Sequence, residues 1–143
     1  MFEYLVSYFM TDLVIIFKVL FALLMGLIVG MERQRMRKSA GMRTHIIVCV
    51  STTMVVAVAM AAFPAADSGA RAIAAVITGI GFLGAGQIMT SGGKISGITT
   101  AASIWANALI GCVIGLGFYL VAFVGTMIMF YTFRLKKGTG WTR

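Results

Sequence analysis

The chain has 143 residues, 60% of them hydrophobic and 11% charged, whereas a soluble domain is about half apolar and about a quarter charged. With a mean hydropathy of +0.99 and a single proline, the composition argues against a disordered chain, a secreted disulfide scaffold and an ordinary soluble enzyme. Lys and Arg number 12 against 4 Asp and Glu, but they fall between apolar runs, so they point to membrane orientation and anionic headgroups rather than nucleic acid.

A bilayer core needs about 20 apolar residues per helical span, and five such segments read out at about 13–31, 46–63, 72–89, 98–114 and 117–133. The expected fold is therefore an all-α bundle of five transmembrane helices in one membrane domain, with 134–143 as a basic tail. Glu3 and Asp12 precede the first span where a signal peptide would carry positive charge. It reads as a retained span with Asp12 as its N-cap, and the aromatic residues 2–10 as a segment lying along the outer surface.

Orientation follows from the short loops. Arg33, Arg35, Arg37, Lys38 and Arg43 lie after span one, Lys94 after span three, and Arg134, Lys136, Lys137 and Arg143 in the tail. Arg71 stands alone on the other side, and Lys18 lies inside span one. The positive-inside rule then puts the N-terminus outside and the C-terminus in the cytoplasm.

Polar residues within spans are expensive and need a purpose. Thr100, Ser103 and Asn107, at i, i+3 and i+7, share one helix face that must look at protein or water; interhelical hydrogen bonding and a polar site both fit. Gly26/Gly30 and Gly111/Gly115 have the small-xxx-small spacing of closely packed membrane helices. Gly79, Gly81, Gly84 and Gly86 crowd into eight residues. They match G-x-G-x-x-G by letter, but inside an apolar span and with no carboxylate downstream they do not make a dinucleotide site. Close packing, or a kinked helix with carbonyls freed toward a cavity, are the two readings of that run.

Glu32 is the carboxylate nearest the basic end, and a pairing with Arg43 is the expected structural role. A hard cation such as Mg²⁺ usually takes one or two carboxylates, so Glu32 is also the metal candidate, in a symmetric oligomer above all. His45 begins span two, where an imidazole serves as an interfacial hydrogen-bonding residue or as a pH sensor. Cys49 and Cys112 read as small core residues. No nucleophile–base pair or metal triad stands out, so an enzyme is not expected, nor any cofactor beyond Mg²⁺ as ligand or substrate.

Four strings are similar to the MgtC/SapB family of bacterial inner-membrane proteins, in the family's order and spacing. They are Gly30-Met31-Glu32-Arg33-Gln34, Ala40-Gly41-Met42-Arg43-Thr44-His45, Thr78 to Gly86, and Gly97 to Trp105. The resemblance covers about residues 13–133. It implies a five-span inner-membrane domain with the C-terminus inside, in a short form lacking the soluble C-terminal domain of some relatives. It also implies a part in magnesium homeostasis. Glu32, Arg33, Arg43, Thr44, Arg71, Thr99, Thr100 and Trp105 match the family's motifs in place and are the residues carried over. Two functions compete: a membrane-embedded regulator binding a transporter, an ATPase or its own copies through glycine faces, and direct transport of Mg²⁺ or another cation. In the second, Glu32 would attract the ion and Thr99, Thr100 and Asn107 would offer oxygens along its path.

Overall fold

The computed structural model describes residues 2–63 and 65–135. Lys136, Lys137 and Arg143, the rest of the expected basic tail, lie outside the described residues. The elements in order are α1 (Phe2–Arg35), α2 (Met42–Ala62), α3 (Ser68–Gly86), β1 (Met89–Ser91), β2 (Lys94–Ser96), α4 (Ile98–Leu116) and α5 (Tyr119–Arg134). The first four helices are long and apolar enough to cross a membrane, while α5, with 16 residues, is shorter and also apolar.

α1 departs from expectation at its start. No glycine or proline interrupts residues 2–25, so the aromatic segment continues as the same helix instead of lying apart. Asp12 is an exposed mid-helix residue, not an N-cap. At 1.5 Å per residue, its 34 residues reach about 51 Å, well beyond a bilayer core of ~30 Å. Its other end closes in a Schellman motif, with Lys38 N–H donating to Arg33 O at 3.1 Å and Arg37 N–H to Gln34 O at 2.9 Å. Arg37 holds the left-handed position usually left to glycine, at φ 52.

The segment after α3 is also more ordered than a plain link. Met89, Thr90 and Ser91 pair antiparallel with Ser96, Ile95 and Lys94. Gly92 and Gly93, at φ 57 and 75, supply the two positive-φ positions of a tight hairpin turn. The all-α expectation is therefore corrected by one small hairpin beside the helices, and α3 stops at Gly86 as the chain turns into β1.

α2 and α4 form the centre. α1 packs on α2, α4 and α5, while α3 packs mainly on α4 and α2. Ala22, Met25, Cys49, Ile110, Ile114 and Ala122 join α1, α2, α4 and α5 in one apolar cluster. Val48, Ile80, Ile104 and Ala108 join α2, α3 and α4 in a second, together with Ala40 from the α1–α2 link.

Candidate functional site

Most of the buried polar groups gather toward the basic end of the bundle, where α1 finishes and α2 and α4 begin, with Thr52, Thr53 and Thr126 farther along α2 and α5. Arg33 is 1% exposed. Its Nη2 donates to Thr100 Oγ1 at 2.6 Å, and its guanidinium carbon lies 5.0 Å from the centre of the Phe133 ring. Thr100, Ser103 and Asn107, on one face of α4, are all buried and meet α1 and α2. His45 Nδ1 lies 2.9 Å from Gly41 O, so that nitrogen carries the proton. The Ser103 hydroxyl stands between His45 Nε2 at 3.3 Å and Thr100 O at 2.7 Å, and Asn107 Nδ2 donates to His45 O at 2.7 Å. The interhelical reading of this face is thus realised, with two exceptions. Arg33 Nε and Asn107 Oδ1 are buried without a partner among the described residues.

Glu32 pairs with Arg134, 102 residues away, and not with Arg43. Nε and Nη2 of Arg134 each lie 3.3 Å from a different Glu32 oxygen. Arg134 also covers the Phe130 ring at 4.3 Å. Both carboxylate oxygens are engaged by a cation, and among the described residues no three His, Cys, Asp or Glu gather as metal ligands. The groups present at Glu32 do not fit a resident divalent ion.

The other sequence-derived residues disperse. Arg43, Thr99 and Trp105 are exposed and Thr44 is half-buried. Arg71 sits at the far end on an exposed ion pair with Asp67, at 3.8 Å. Sequence reasoning missed Arg134, the partner of Glu32, because only the fold brings α5 beside the end of α1. It also left Lys18 without a role. Its ammonium donates to Gly115 O at 2.7 Å, in the last turn of α4, where the helix dipole favours a cation.

The glycines divide into two sets. A Cβ at Gly26 would fall 2.8 Å from His45 O and 2.9 Å from Ile46 Cα, and one at Gly30 would strike the Met42 backbone. A Cβ at Gly111 would strike Thr52 Oγ1 and Cys49 O, and one at Gly115 would lie 2.7 Å from Val56 Cβ. These four glycines let α1 and α4 press against α2, and Thr53 Oγ1 donates to Gly111 O at 2.9 Å across that seam. Their contacts are therefore made inside the chain and are not left over for a partner. Gly84 approaches Ala101 at 3.9 Å, whereas Gly79, Gly81 and Gly86 meet nothing within 4 Å. α3 is one uninterrupted helix through all four, so the chain is not broken there.

The MgtC family profile matches residues 19–140. Protein SrpB of Synechococcus elongatus is 36% identical over 89% of this chain and 79% of its own length. Protein MgtC of Salmonella typhimurium LT2 is 40% identical over 80% of this chain and 48% of its own. YhiD of Escherichia coli K12, named as a candidate magnesium transporter, is 40% identical over 70% of this chain and 50% of its own. The chain thus spans about half the length of the last two relatives. No solved structure matches it. The chain belongs to the MgtC family.

Proposed function

We propose that this MgtC-family chain is a multi-pass protein of the bacterial inner membrane that serves magnesium homeostasis by regulating another membrane protein. The name that the YhiD relative carries supports the link to magnesium. The Lys and Arg distribution supports an orientation with the basic end in the cytoplasm and the start of α1 outside.

The observation that carries the regulatory reading is the outward side of α3, where Gly79, Phe82 and Gly86 share one stripe at i, i+3 and i+7 and Gly81 lies on the other flank of Phe82. Gly79, Gly81 and Gly86 have no neighbour within 4 Å, and Phe82 beside them is 82% exposed. An exposed helical glycine costs about 1 kcal/mol relative to alanine, and in lipid small residues repay that cost when another helix comes close. The partner is a transporter, an ATPase or a second copy of the chain. Photo-crosslinking from α3 in cells tests this. A crosslinked membrane partner that disappears in Gly79→Leu is expected, and crosslinking unchanged by that substitution would refute the reading.

Direct transport is the competing function, favoured by the name that YhiD carries. Against it, Glu32 is already neutralised by Arg134, and the buried Arg33 puts a positive charge among the oxygens of α4. A cation following that path would meet repulsion first.

A further inference from the structure

Arg33 carries a buried charge that the chain's own acids do not answer. It is 1% exposed, and its guanidinium uses one N–H, from Nη2, on the Thr100 hydroxyl. Nε is buried without a partner, and Nη1 makes no hydrogen bond among the described residues. The sequence holds four acids, Glu3, Asp12, Glu32 and Asp67. Both oxygens of Glu32 face Arg134, and Asp67 pairs with Arg71 at the far end. Asp12 and Glu3 stand about 30 Å or more back along α1. The C-terminal dipole of α1 offsets about half a charge, and the Phe133 ring at 5.0 Å adds a little. A buried cation is expensive unless an anion meets it.

The groups around the guanidinium are donors too. Thr100 is the third residue of α4, whose N-cap is Gly97. α2 begins alongside and runs the same way, since His45 meets Ser103 and Thr53 meets Gly111. Its N-cap is Gly41, and Met42 packs on Gly30, about one turn before Arg33. Neither first turn has a side-chain cap or an acid among the described residues. Ser, Thr, Asp or Asn usually satisfies such N–H groups; here two neighbouring helices start with glycine beside one guanidinium. Uncapped N–H groups at the positive end of a helix dipole bind oxyanions, and the arginine fork fits phosphate. Thr99 is exposed, so the first turn of α4 opens to solvent next to the residue that Arg33 holds.

We propose that Arg33 and the first turn of α4 form a site for one phosphoryl group, held by the remaining guanidinium donors and by the N–H groups at the start of α4. Free phosphate and an anionic phospholipid headgroup both carry that group. The site does not depend on what α3 binds.

Inorganic phosphate is titrated by calorimetry into the full chain in phospholipid-free detergent at constant chloride, with short-chain phosphatidylglycerol in a parallel series. The wild type binds saturably, and the tighter of the two probes names the source. Arg33→Lys keeps the charge without the fork and weakens binding about tenfold, as the loss of one charge-assisted hydrogen bond would. Thr100→Asp supplies a carboxylate from within the chain. It abolishes binding and, without phosphate, melts at a higher temperature than the wild type. Arg37→Gln combined with Lys38→Gln strips charge from the nearby loop and changes the affinity by no more than about twofold, because exposed charges are screened by salt. Circular dichroism verifies that each variant is helical. A wild type that binds neither probe overturns the proposal, with no variant needed. So does binding that survives Thr100→Asp unchanged, or binding that the loop variant weakens more than Arg33→Lys does.

Discussion

α3 and α4 are helices of equal length, 19 residues each, with five glycines in α3 and two in α4. In α4 the glycines are consumed by the fold. Gly111 and Gly115 lie where α2 comes so close that a single methyl group would strike Thr52 and Val56. In α3, Gly79, Gly81 and Gly86 look away from the bundle and touch nothing. One residue type thus does two jobs: it permits contact inside the chain in one helix and holds a surface open in the other.

Substitution separates the two. The largest effect is expected at Gly111, since overpacking a tight seam typically costs 1–3 kcal/mol and the neighbours here include backbone. Gly111→Ala should lower stability by about 3 kcal/mol in thermal unfolding followed by circular dichroism, and Gly111→Leu should abolish recovery of folded protein. Next comes Thr100→Val, which removes the Arg33 hydrogen bond and leaves a buried charge with one partner fewer. A loss of about 2 kcal/mol is expected from the usual value of hydrogen bonds to charged groups.

On α3 the sign reverses. Gly79→Ala and Gly81→Ala should each raise the melting temperature, by about 1 kcal/mol of helix propensity at most, because the new methyl group meets nothing. A fall at either position would show that the face is packed after all. The smallest effect is expected from Glu32→Gln. Its partner Arg134 has about half of its side chain exposed, and solvent screening holds such pairs below about 1 kcal/mol.

Much of this was legible in the sequence. Apolar length marked the helices, and the i, i+3, i+7 spacing of Thr100, Ser103 and Asn107 placed all three on the buried face of α4. Spacing hinted at which glycines have neighbours, because Gly26/Gly30 and Gly111/Gly115 are four apart and no two of Gly79, Gly81, Gly84 and Gly86 are, but it could not say what stands opposite. Long-range pairings were equally hidden: Glu32 meets Arg134 and Lys18 meets Gly115 only once five helices are assembled. The hairpin was a readable signal left unread, since Gly92-Gly93 between two short polar-apolar stretches is a strong local turn pattern.

The central claim is that the chain acts on another membrane protein and does not itself move magnesium. Its most direct test is Mg²⁺ flux into liposomes containing only the purified, folded and inserted protein, wild type beside Glu32→Ala. The account predicts flux no greater than in protein-free liposomes for both. Flux present in the wild type and lost in Glu32→Ala would contradict it and make the Glu32 end of the bundle the mouth of a pathway.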